Sequence, residues 1–335
     1  MLAEARPGDN QKVMARTART PFMRLALWTT ALTYALILVG SLVRASGAGL
    51  GCPDWPRCFG SWIPPMSVEA LPPQFSADQF NATLMWTEYL NRLLGVTVGF
   101  FILATVVSAW RHHRREAHIL WPSVGALLLT GYEGWLGGRV VAHELAPWIV
   151  TAHLVVAIVI VQLLLYATAY AWYRRPQASS GTSSAALPPE EAAHRRTLAL
   201  TIAATIAVTY VQVALGTQVR GGVDDGLDAG VARAVVLSTV GWWDGAHRVL
   251  SLGVVSMTLL SLLVVWSRHT HERLVRRWTH IVVGLAVAQT LLGAGLAYVA
   301  LQPAPQVLHL SLASLLMGAQ LVQWLVVRWE AAPDA

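Results

Sequence analysis

Charge is scarce in this chain. Asp, Glu, Lys and Arg make up 13% of its 335 residues and hydrophobic side chains 55%, where a soluble domain carries about 25% charged residues. That shortage excludes an ordinary soluble globule. Cysteine is nearly absent too, with two residues in all, so a four-cysteine zinc site is excluded. What the sequence has in quantity is long apolar runs. Several windows hold about 20 residues without a charge, roughly what one helix needs to cross a bilayer. Backbone polar groups in lipid must be satisfied internally, so such runs read as helices. The spans fall at 23–43, 86–110, 118–137, 147–173, 196–217, 243–266, 277–300 and 304–327. The fold class is an all-α membrane protein of eight transmembrane helices. The first apolar run is long enough to span and reads as a retained helix rather than a cleaved signal.

The formal net charge of +6 does not indicate nucleic acid. Of the 24 basic residues, 17 lie at the N-terminal end, near 111–116, 174–196 and 268–277, or at Arg328. This clustering on alternate connections is topological, and by the positive-inside rule it makes both termini cytoplasmic in a bacterial-type inner membrane. Trp28, Trp86, Trp110, Trp121, Trp148, Trp172, Trp242, Trp243, Trp266 and Trp278 sit near span ends, where amphipathic rings prefer the headgroup layer. The stretch 176–191 has the composition of a flexible cytoplasmic linker.

The two halves of the chain repeat one another. Glu88-Tyr-Leu-Asn91-Arg92 matches Asp244-Gly-Ala-His247-Arg248 at a shift of 244 − 88 = 156, and His153 matches His309 at the same shift. Gly137 and Gly293, and Pro147 and Pro303, obey it as well. Gly40-Ser-Leu-Val-Arg44 matches Gly216-Thr-Gln-Val-Arg220 at 176, the extra 20 residues lying in the first outer loop. Two parallel four-helix bundles account for this. The chain divides into a tail 1–22, a bundle 23–175 with an outer loop 45–85, a linker 176–195, a bundle 196–327 and a tail 328–335.

Of eleven histidines, His112, His113, His118, His194, His269, His271 and His280 lie in or beside cytoplasmic segments, where they read as solvated or interfacial, and His143 lies in a short outer loop. His153, His247 and His309 remain, each roughly 6–9 Å inside the outer end of a span at 1.5 Å per residue. One such histidine could simply bond to a neighbouring helix. Two at matching depth in one bundle, His247 and His309, suit the axial ligation of a haem iron. Arg248 beside His247 could pair with a propionate or snorkel to the interface. In the first half Asn91 stands where the repeat asks for histidine. Glu88 shares its helix face, and a carboxylate at that depth suggests catalysis or proton handling, with an interhelical hydrogen bond as the alternative. Cys52 and Cys58 share the outer loop, where oxidising surroundings favour a disulfide. It could serve as a lid over the first bundle, a structural staple, or a thiol pair exchanging electrons.

The run Gly40-Ser-Leu-Val-Arg44-Ala-Ser-Gly-Ala-Gly-Leu-Gly-Cys-Pro-Asp-Trp-Pro-Arg-Cys58, the Glu88-Tyr-Leu-Asn91-Arg92 segment, Ala246-His247-Arg248 and Leu308-His309 together resemble the haem A synthase family over about residues 25–325. The resemblance implies oxidation of the C8 methyl of haem O to a formyl group, by successive hydroxylations with water-derived oxygen and loss of water. It also implies a haem b cofactor on His247 and His309 with Arg248 nearby, and substrate haem O on His153 near Arg92 and Asn91, with Glu88 as the acid–base or cation-stabilising group. The implied partners are haem O, an electron acceptor, haem O synthase, terminal oxidase assembly factors and the lipid bilayer. One residue departs from the family's Glu-x-x-His pattern, namely Asn91. Water, His143 or Tyr89 could then supply a sixth ligand to the substrate iron. The competing function is a membrane b-type cytochrome that only relays electrons.

Overall fold

A computed structural model describes residues 7–173, 188–267 and 272–330. Eight long helices account for most of them: α1 (Pro7–Ala45), α2 (Ala82–His113), α3 (Ala117–Ala142), α4 (Pro147–Tyr173), α5 (Pro189–Asp228), α6 (Trp242–Ser267), α7 (Arg273–Tyr298) and α8 (Pro303–Glu330). Proline opens α4, α5 and α8, where its missing N–H goes unneeded and its fixed φ suits the first turn. The Asn81 side chain caps α2 by accepting from the Leu84 N–H at 3.1 Å, as a short polar side chain does best at that position.

Seven of these helices are long and apolar enough to cross a membrane. The exception is α3, whose 26 residues include Glu133, Arg139 and five glycines. Connections of three residues (114–116) and four residues (143–146) tie α3 to α2 and α4, and it packs along both. Short links of this kind make antiparallel neighbours, so α3 runs the same thickness as they do. The protein is thus a multi-pass membrane protein.

The helices pack as two rings, α1–α2–α3–α4 and α5–α6–α7–α8, in which each helix touches its neighbours in order and the last touches the first. The rings meet through α1, α4, α5 and α8. α2 and α4 therefore occupy opposite corners of one ring, and α6 and α8 opposite corners of the other. Leu, Val and Phe side chains such as Phe100, Leu128, Val249 and Leu291 face outward, as a lipid-facing surface should. Inside, Ile158, Val213 and Met317 join α4, α5 and α8. Polar contacts add to the packing, with Thr29 and Thr105 hydroxyls 2.9 Å apart and Gln323 donating to Thr279 at 2.9 Å. Hydrogen bonds between membrane helices are worth about 0.6 kcal/mol on average, so such pairs set register more than they supply stability. Of the ten tryptophans expected at interfaces, Trp28, Trp110, Trp121, Trp148, Trp172, Trp242 and Trp266 are exposed. Trp86, Trp243 and Trp278 are only half-exposed.

Several helices extend beyond the expected spans. α1 starts at Pro7, although its apolar part, Pro21–Ala45, agrees with the span 23–43. α5 starts at Pro189, so the last part of the expected linker 176–195 is helical. Arg195 explains part of this, because it pairs with Glu191 one turn earlier and with Glu272 at the start of α7. At its other end α5 runs to Asp228 rather than 217. Hydropathy falls there, yet Arg220 pairs with Asp224 one turn on at 2.6 Å, and Arg44 of α1 reaches the same carboxylate at 2.5 Å. Arg220 also donates to Gln306 of α8 at 2.6 Å. Paired ions let a helix continue past the apolar layer. Most of the expected linker, His269, His271 and the ends of both tails lie outside the described residues.

His113 is a second correction. It is buried rather than solvated, with its ring 4.8 Å from that of Phe22 and Nδ1 2.9 Å from Glu116.

Candidate functional site

Two clusters lie near the end of the rings that carries the 46–81 loop. In the second ring His247 projects from α6 and His309 from α8, with ring centroids 6.4 Å apart and planes at 67°. Glycine makes room for each ring, since a Cβ on Gly216 would lie 3.1 Å from His247 Cε1 and one on Gly293 3.0 Å from His309 Cε1. Gln212 of α5 donates to the His247 carbonyl at 2.9 Å, and its amide nitrogen is 3.4 Å from the ring Nε2. The amide nitrogen of Gln289 in α7 likewise lies near the His309 ring, 3.2 Å from Nε2. Both Nδ1 atoms are buried without a hydrogen-bond partner, although buried polar atoms are normally paired.

These observations fit a metal held between the two rings. Bonds of about 2 Å from one metal to a nitrogen on each ring, plus roughly 1 Å from each nitrogen to its ring centre, put the centroids roughly 6 Å apart, as observed. Among the described residues no group of three or more His, Cys, Asp or Glu side chains could hold a bare ion. A haem needs only axial ligands, because its macrocycle supplies the in-plane nitrogens. Arg248 is engaged within the protein: it pairs with Asp244 at 2.6 Å and donates to the Tyr298 hydroxyl at 3.0 Å.

In the first ring the equivalent cluster has different chemistry. His153 projects from α4 beside Gly137, whose Cβ would lie 3.6 Å from its Cε1. Asn91 of α2 takes the place of His247, with its carbonyl oxygen buried and unpartnered. Gly40, the counterpart of Gly216, has nothing within 4 Å of where its Cβ would be. One residue that the sequence analysis missed is Glu133 of α3, whose Oε1 lies 3.1 Å from His153 Nδ1. Two signals in the sequence could have found it. It is an ionisable residue inside a membrane helix, and 133 + 156 = 289 makes it the repeat partner of Gln289. Gln212 was missed because its counterpart at 212 − 176 = 36 is a leucine.

Glu88 is 4% exposed and both of its oxygens are engaged. Oε2 accepts from the Cys52 N–H at 2.8 Å, while Oε1 accepts from Arg92 Nε at 3.1 Å and pairs with the same guanidinium through Nη2. Arg92 also donates to the carbonyls of Asp54 at 2.7 Å, Arg57 at 2.8 Å and Cys52 at 3.1 Å. The pair thereby clamps the outer loop onto α2. Cys52 and Cys58 form a disulfide, buried with Phe59 and Met85. The loop closes over the first ring at several points. A Cβ on Gly51 would collide with the Leu84 carbonyl, one on Gly138 would lie 2.9 Å from the Trp55 ring, and one on Gly49 would lie 2.7 Å from Leu145. Of the other candidate ligands, Tyr89 donates its hydroxyl to the Trp62 carbonyl at 2.7 Å, and exposed His143 lies 2.7 Å from Arg139. Each is engaged elsewhere.

The buried disulfide gives a direct expectation. Alkylation of native membranes without reductant should modify neither Cys52 nor Cys58, whereas reduction and unfolding should release two thiols. Quantitative labelling of untreated membranes would rule the bond out. Serine replacements should loosen the loop, read as faster proteolysis between residues 46 and 81.

The family model described as cytochrome oxidase assembly protein (COX15-CtaA) matches residues 23–236, well over half of the chain. A heme A synthase of Allorhizobium ampelinum is 27% identical over 59% of this chain and 55% of its own length. One from Rhizobium leguminosarum is 24% identical over 82% of this chain and 84% of its own. One from Brucella ovis is 25% identical over 91% of this chain and 90% of its own. The first of these matches thus spans only about half of the relative, whereas the other two run nearly end to end. With eight helices in two repeated rings, histidines at matching depth and a disulfide loop over one ring, the chain belongs to the COX15-CtaA family of cytochrome oxidase assembly proteins.

Proposed function

We propose that the protein is a haem A synthase, oxidising the C8 methyl of haem O to a formyl group at His153 in the first ring. The second ring would hold haem b between His247 and His309. The observation that carries this reading is the pair of imidazoles at a separation suited to one iron, repeated at His153 in a site with altered chemistry. When bound, haem b would accept and pass on electrons. Turning a methyl into a formyl group with oxygen from water releases electrons and protons, so an electron acceptor is required.

The protein's own groups then divide the work. His153 fixes the substrate iron, and the loop held by Arg92 keeps bulk water from the reacting edge. Glu88 supplies negative charge as positive charge builds on the methyl carbon, and it takes up a proton. Such a charge is worth most in a site closed to water. The tests of this role must separate it from loop anchoring. The disulfide end faces the oxidising side of a bacterial inner membrane and both termini face the cytoplasm. Supporting this orientation are the basic connections and the bond between Cys52 and Cys58. Haem O synthase would supply the substrate, and terminal oxidase assembly would consume the product.

The test is co-expression with a source of haem O, followed by chromatography of extracted haems. Haem A should appear only when the intact protein is present. Haem-loaded protein that yields no haem A would leave the b-type cytochrome reading in its place.

A further inference from the structure

We propose that Glu133 is the positioning residue of the N-terminal site: its carboxylate accepts from Nδ1–H of His153, so that Nε2 is presented to the iron as a strengthened single ligand. This rests on the reading of that site as the haem O site.

The repeat makes the argument. In the second ring the iron ligands are two imidazoles, and the side chain against His309 is the amide of Gln289, which lies at Nε2 whereas Glu133 lies at Nδ1 of His153. In the first ring one imidazole is replaced by the amide of Asn91, and the amide is replaced by the carboxylate of Glu133. Two changes at symmetry-related positions offset one another. A carboxylate behind a metal-bound histidine fixes its tautomer and raises its basicity, whereas an amide offers only a neutral hydrogen bond. The contact is 3.1 Å but lies off the hydrogen-bond direction, and both His153 Nδ1 and Glu133 Oε2 are buried without a hydrogen-bond partner. The His153 side chain is 38% exposed, so the ring has room to turn and align. An ionisable side chain inside a membrane helix is costly and normally faces a partner or a cavity. Among the described residues no lysine or arginine pairs with Glu133, whereas Glu88 has Arg92 and Asp224 has two arginines. The carboxylate thus lies inside a membrane helix with His153 as its neighbour.

The experiment uses full-length protein in detergent, loaded with protohaem and reduced. A five-coordinate ferrous haem shows an iron–histidine stretching band in resonance Raman spectra that a bis-histidine haem does not, so the band reports the N-terminal site alone. In Glu133→Gln, which installs the residue of the other half, the band should move to lower frequency. The midpoint potential of that haem should become more positive, and its protohaem affinity should fall ~10–100-fold, the range for losing such a supporting group. A purely structural role would move neither band nor potential. If Glu133→Gln does not accumulate, Glu133→Asp is measured in the same way, since it withdraws the carboxylate by one methylene and should shift both readouts in the same direction. Unchanged band and potential, with the band lost in His153→Ala, would overturn the role of Glu133 and leave the haem site standing. A band that persists in His153→Ala would overturn both.

Discussion

Alanine at His247 or His309 is expected to abolish the low-spin haem b spectrum of the purified protein, while His153→Ala leaves it largely intact. The two rings stand 6.4 Å apart on opposite corners of the second helix ring. Low-spin iron needs a strong ligand on each face, so either truncation should convert all remaining haem to a high-spin form or empty the site. Gly216 and Gly293 are packed against these imidazoles, and truncation leaves a ring-sized space that added imidazole can fill. Recovery of the low-spin spectrum with imidazole in His309→Gly would show that the lost ligand, and not misfolding, caused the change. A low-spin haem surviving the double replacement of His247 and His309 would refute the assignment.

The second large effect is expected at Glu88. Glu88→Gln should lower haem A formation by roughly 100-fold, the scale for losing a positioned acid–base group, while protohaem still binds. The complication is that Glu88 also holds the loop through the Cys52 N–H and Arg92. Glutamine keeps an acceptor for that N–H but loses the ion pair. Arg92→Gln provides the comparison, because it releases the loop carbonyls of Cys52, Asp54 and Arg57 while leaving the carboxylate in place. If charge at Glu88 drives the chemistry, Glu88→Gln is the slower enzyme and its loop resists protease as in the native protein. Equal losses in both variants with equal loop cleavage would reduce Glu88 to an anchor. Asn91→His should shift bound haem O towards low spin, and the open space at Gly40 leaves room for it. Its effect should fall on product release more than on chemistry.

Much of this was legible in the residues alone. Lipid permits few backbone solutions, so long, mostly apolar runs indicated the number and approximate position of the helices, α3 included despite its Glu133. A repeat at a shift of 156 matched His153 to His309 and Asn91 to His247, and their positions within the spans put the three histidines at one depth. Oxidising surroundings and a six-residue separation pointed to the Cys52–Cys58 bond. Helix ends were less legible, because a helix such as α5 continues past its apolar stretch where Arg44 and Arg220 meet Asp224. Local hydropathy contains no record of a partner 180 residues earlier in the chain (224 − 44). The partners of the site residues were decided by the tertiary structure. Whether Glu88 faces a substrate or a loop depends on how 46–81 folds back over α2, which rests on close approaches at Gly51 and Gly138. Glu133 meets His153 because α3 and α4 pack antiparallel. Periodicity determines which residues share a face of one helix, but side-chain contacts between helices are set by crossing, rotation and close packing. Those depend on many small contacts spread over the whole chain.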